Sequence, residues 1–114
     1  MKKINVILLF SVILFFGNQS CKAQKVETIK IQTSAICDLC KERIEGALAY
    51  EKGVKSSDLD LETKIVSIKI KPDKTNVETL RKFLSELGYD ADEVLANPEA
   101  YNKLPACCQK GGHD

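Results

Sequence analysis

The order of hydrophobic periodicities constrains this chain more than any single motif does. "VETIKIQT", Val26 to Thr33, is rich in β-branched residues and alternates, with Ile29 and Ile31 on one face, which predicts a strand. In "CKERIEGAL" the residues Cys40, Ile44, Ala47 and Leu48 recur at helical spacing and form one apolar stripe, with Gly53 as the expected stop. "VKSSDLDLETKIVSIKIKP" then reads as two strands around a short polar connection, ended by Pro72. Val54 has the opposite parity to Leu59 and Leu61, so the first of these two strands should carry a bulge. A cap at Thr75 or Asn76 opens a second helix along Val77, Leu80, Leu84 and Leu87, and Gly88 closes it. "YDADEVLA" is a last, weak strand.

This βαββαβ order predicts an α+β, ferredoxin-like fold. One antiparallel sheet with both helices on one face buries the two apolar stripes economically. "NPEAYNKLP" adds a short helical turn, with Asn97 as cap and Pro98 at the first helical position. "ACCQKGGHD" reads as a flexible tail carrying two adjacent thiols and the only histidine of the chain, His113. The expected organisation is a signal at residues 1–20, a linker at 21–24, one domain at 25–96, and the helical turn and tail at 97–114.

The N-terminal segment supplies the compartment. Lys2 and Lys3 precede an apolar run from Ile4 to Phe16, broken by Asn5 and Ser11. The run falls short of the ~20 apolar residues a membrane-spanning helix needs and fits a secretory signal. Ser20-Cys21 resembles the end of a bacterial lipoprotein signal, which would make Cys21 the lipidated first residue. A cut after Ala23 would leave a free protein. Both routes place the chain outside the cytoplasm, in the periplasm or anchored to the cell envelope, and any membrane contact would run through a lipid on Cys21.

Loss of residues 1–20 removes two lysines and no acid, so the net charge passes from +1 to −1. A near-neutral chain of mixed charge carries no electrostatic footprint for nucleic acid. Lipidation of Cys21 would leave four thiols, Cys37, Cys40, Cys107 and Cys108, and an oxidising compartment permits disulfides among them.

Cys37 and Cys40 stand three residues apart at the start of the first predicted helix, on the same side of its first turn. The positive end of the helix favours thiolate, the form that binds metal and also the form that exchanges disulfides. Spacing alone leaves a metal clip, a redox dithiol and a structural disulfide open. Two thiolates suit soft ions such as Cu(I) and Hg(II), whereas a structural Zn(II) site normally takes four ligands.

Three short stretches carry a resemblance: "ICDLC" at Ile36–Cys40, "KGV" at Lys52–Val54 and "LGYDA" at Leu87–Ala91. With the element order, they resemble the heavy-metal-associated domain family, which includes copper chaperones, domains of P-type ATPases and the periplasmic mercuric-ion-binding protein. The resemblance spans about residues 25–95. It implies that Cys37 and Cys40 bind the metal and that Tyr89 lies beside them; Ile36 and Asp38, the neighbours of Cys37, are also expected near the site. Ser34 and Ala35 stand where the family has glycine and methionine, which predicts a looser loop before the cysteines. Asp38 reads as a helix-start residue, and Lys41, Glu42, Arg43 and Glu45 as a solvated helix face.

The tail has three readings: Cys107 and Cys108 complete the site; they form a second soft-metal site that passes ions onward; or they are disulfide-bonded elsewhere and inert, with His113 a further candidate ligand. The function expected is a non-enzymatic, monomeric soft-metal binder, for Cu(I) first and Hg(II) or Zn(II) second. It would capture the ion on Cys37 and Cys40 and pass it by thiol exchange to an envelope transporter or acceptor protein. A thiol–disulfide oxidoreductase is the rival, disfavoured because no Trp precedes the motif and two strands separate the helices. A degenerate domain acting only as an interaction module is the third reading.

Overall fold

A computed structural model describes residues 25–110 of the chain. The expected signal, Cys21 and His113 lie outside the described residues. Strand β1 (Glu27–Gln32) leads into helix α1 (Asp38–Leu48), strands β2 (Val54–Asp60) and β3 (Ile65–Ile70), helix α2 (Val77–Leu87), a short helix α3 (Pro98–Asn102) and a 3-10 turn at Ala106–Cys108.

The sheet is antiparallel in the order β1-β3-β2. Its register puts Ile29 opposite Ile68, Ile31 opposite Val66, and Leu59 opposite Val66 from the other side. Residues directly opposite in such a ladder share a face, so these side chains form one apolar surface. Helix α1 packs over β2 and α2 over β1. Ile44 and Leu48 from α1 and Leu80 and Leu84 from α2 are fully buried against Ile31, Val66 and Ile68. Each such side chain contributes ~1.5–3 kcal/mol by leaving water. This is the ferredoxin-like arrangement that the periodicities predict.

The bulge lies in β2 between Val54 and Ser56. Val54 faces Ile70 and Ser57 faces Ile68, so three residues of β2 span two of β3 and the parity of Val54 is reconciled with that of Leu59. Helix α1 ends at Leu48, before the predicted stop, and the chain turns through Gly53 at φ 83°. A Cβ there would sit 2.8 Å from Thr75 Cγ2, so glycine is needed for close approach as well as for φ. Helix α2 begins at Asn76, whose Oδ1 accepts the Thr79 N–H at 2.8 Å, and ends at Gly88 in the left-handed region.

Two sequence expectations are revised. The weak last strand contracts to single bridges, Thr33 with Ala91 and Ala91 with Val94. Asp92 adopts φ 53°, and Ala91 and Val94 close on each other through reciprocal backbone bonds of 2.8 and 2.9 Å, so the segment turns back before a ladder can extend. The tail is folded through Lys110 instead of hanging free. Cys108 is only 2% exposed, and the Gln109 amide donates to the Leu104 carbonyl at 3.2 Å.

Candidate metal centre

Cys37 is the N-cap of α1, in extended backbone conformation, and its side chain makes no capping bond. The sulfur is thereby free to point where Cys40, one turn on, also points. Their Sγ atoms lie 3.2 Å apart as free thiols, Cys37 half-buried and Cys40 fully buried. The positive end of α1, with Asp38 exposed in its first turn, surrounds them.

The loop before them is tied down on both sides, contrary to the looseness expected of Ser34 and Ala35. Ser34 Oγ accepts the Asp90 N–H at 2.9 Å, which links this loop to the one that follows α2. Thr33 Oγ1 donates to the Lys64 carbonyl at 2.8 Å and accepts the Ala35 N–H at 3.2 Å. Ala35 is fully buried, and Ile36 packs against the core. A second clasp joins the end of β1 to the same late loop. Asp92 Oδ1 accepts the Gln32 N–H at 2.8 Å, and its Oδ2 accepts from Arg81 Nε at 2.9 Å.

Tyr89 belongs to the core and to the site at once. It is 1% exposed, and its buried hydroxyl has no hydrogen-bond partner among the described residues. Burial, reinforced by the neighbouring Cys108 and Cys40 sulfurs, holds its phenol well above the ordinary range, so it stays protonated and can donate toward sulfur.

The C-terminal thiols join from the far side. Cys108 Sγ is 3.8 Å from Cys37 Sγ, and Cys37, Cys40 and Cys108 form a trio whose sulfurs all lie within 4.8 Å of one another. Cys107 Sγ is 3.8 Å from Cys37 and 4.0 Å from Cys108, and it lies outside that compact trio. Burial, then the adjacent Cys40 sulfur, pushes the Cys108 thiol up; the Tyr89 hydroxyl opposes this. Three convergent sulfurs make a donor set suited to soft ions, with the Tyr89 hydroxyl beside them as a hydrogen-bond donor.

Sequence reasoning missed the ties that bring the tail there. Lys110 Nζ pairs with Asp90 Oδ2 at 2.9 Å, and its backbone N–H donates to the Tyr101 hydroxyl at 2.7 Å. Burial works against the Asp90 charge, but Lys110 and the Ala96 N–H outweigh it and hold its carboxyl below the usual range. The helical turn of "NPEAYN" was legible; that its tyrosine would brace Lys110, two residues after a Cys-Cys pair, was not. Lys41, read as part of a solvated face, is engaged with Glu45 Oε2 at 2.8 Å, Asp58 Oδ1 at 3.2 Å and the Leu59 carbonyl at 2.7 Å.

The heavy-metal-associated domain profile matches residues 34–90, half of the chain. A copper-exporting P-type ATPase of Staphylococcus epidermidis is 32% identical over 79 residues, which cover 68% of this chain and 10% of the ATPase. The chain therefore corresponds to about a tenth of that relative. The copper chaperone CopZ of Staphylococcus haemolyticus is 33% identical over 54 residues, covering 47% of this chain and 79% of the chaperone. Among solved structures, oxidized MerP from Ralstonia metallidurans CH34 shares the fold with a TM-score of 0.56 at 23% identity, over 60% of this chain and 96% of its own.

Proposed function

Because the chain belongs to the heavy-metal-associated domain family, we propose that it is a soft-metal carrier, with Cu(I) as its cargo and Cys37 and Cys40 as the capturing thiols. The observation that carries this reading is the pair of free sulfurs 3.2 Å apart at the start of α1. As the ion binds, the thiols yield their protons to solvent, and the positive helix end stabilises the thiolates that result. Handover proceeds by exchange: an incoming thiolate of an acceptor replaces one protein sulfur, then the other. Hg(II) suits the same donors, and Zn(II) would call on more of the four neighbouring thiols. Relatives named for copper chaperoning and copper export support copper first.

In this reading the carrier works outside the cytoplasm. The support is the lysine-flanked apolar run from Ile4 to Phe16 and the Ser20-Cys21 junction. Its acceptor there is a thiol-bearing protein of the envelope, such as a metal transporter, and the carrier itself catalyses no reaction.

Titration of the reduced protein with Cu(I) against a chelator of known affinity tests the proposal. One ion per chain is expected, with tight binding abolished in the Cys37→Ser/Cys40→Ser variant. Failure of the wild type to compete with the chelator would sink it.

A further inference from the structure

Resting on that reading of the capture site, we infer that Cys108 is a third thiolate ligand and that the segment from Ala106 to Lys110 is a lid that closes over the bound ion. Capture by two thiols does not need a third sulfur, yet the chain places one in the core. Cys108 is 2% exposed, its Sγ 3.8 Å from Cys37 and inside the compact trio with Cys40. The 3-10 turn that carries it packs against α1. Tyr89 supplies an independent pointer from below. Its hydroxyl is buried, has no hydrogen-bond partner among the described residues and neighbours these same sulfurs, where a metal-bound thiolate would give it an acceptor.

The lid meets the site through long sulfur contacts of 3.8 Å to Cys37, and its shorter fastenings are at its outer end. Lys110 reaches Asp90 through its ammonium at 2.9 Å and Tyr101 through its backbone N–H at 2.7 Å. Gln109 spans the Leu104 and Tyr101 carbonyls at 3.2 and 3.4 Å. The Lys110 side chain is 63% exposed, so its ion pair is a weak, solvent-screened fastening of the kind a lid can release. Closed, the tail turns an exchange-ready pair of sulfurs into an enclosed three-sulfur site; open, it leaves the two-sulfur intermediate from which an acceptor can draw the ion. Cys107, half-buried and outside the trio, is not a ligand of the closed site.

X-ray absorption of the Cu(I)-loaded full chain, together with chelator competition, tests this. Three sulfurs per copper are expected in the wild type and in Cys107→Ser, and two in Cys108→Ser. The lost intramolecular ligand should weaken binding on the order of 100-fold, at unchanged stoichiometry. Lys110→Ala should keep three sulfurs but speed the loss of copper to excess chelator. A wild type with two sulfurs, or a Cys108→Ser variant matching it in sulfur count and affinity, would overturn the third ligand and leave two-thiol capture standing. An unaltered loss rate in Lys110→Ala would overturn the lid. A wild type that binds no copper at all would instead remove the underlying reading.

Discussion

The Glu45 carboxylate holds two partners on one oxygen: the Lys41 ammonium at 2.8 Å and the Leu59 N–H at 2.7 Å. Strand β2 is an edge of the sheet, and Leu59 is 2% exposed, so this N–H has no ladder partner on its outer side and little access to water. Glu45→Ala should therefore destabilise the fold by about 1–3 kcal/mol, the cost of stranding a buried donor. The exposed neighbour change Glu42→Ala should stay within roughly 0.5 kcal/mol. Urea unfolding of the two variants gives the comparison directly. Lys41 and Glu45 read in the sequence only as part of a solvated helix face; their reach across to β2 was not legible, because it depends on which strand α1 covers. The cysteines were legible for the opposite reason. Their convergence is local, set by three residues of one helical turn, and needs no knowledge of the partner elements.

At the scale of elements, the joint between α2 and α3 sets where the tail can go. Gly88 closes α2 at φ 107°, and a Cβ there would come 3.0 Å from the Ala100 carbonyl oxygen in α3. Helix α3 in turn presents Tyr101 to Lys110. Gly88→Ala should cost about 1–3 kcal/mol through the strained backbone alone. It should also expose Cys108, read as faster modification of that thiol by a maleimide than in the wild type. The elements themselves follow from periodicity, caps and turns, down to the β2 bulge implied by the parity of Val54. The last strand was not legible as single bridges, because the left-handed φ of Asp92 that turns the chain back is set by its bonds to Gln32 and Arg81, which are distant in sequence. The folding of the tail through Lys110 was not legible because the Tyr101 and Asp90 contacts that hold it lie well outside the segment itself.

For the whole molecule, one sheet with a single covered face makes a thin core, so a bound ion is a large addition to its stability. An ion present at 1,000 times its dissociation constant adds ~4 kcal/mol, which for a domain of this size raises the midpoint of thermal unfolding on the order of 20 °C. Calorimetry with and without Cu(I) should show that rise in the wild type and none in the Cys37→Ser/Cys40→Ser variant. A further consequence lies in the start of α1. Cys37 occupies the position where a Ser or Asp would ordinarily receive the first backbone N–H groups, and its side chain receives none of them. Under the proposed chemistry, those N–H groups face thiolates gathered around an ion, so the cargo itself finishes the helix. The first turn stands without cargo, its Lys41 N–H closing on the Cys37 carbonyl at 3.1 Å. Loading therefore adds partners for the open N–H groups and tightens a turn already formed, and an acceptor that strips the ion returns that helix end to its uncapped state.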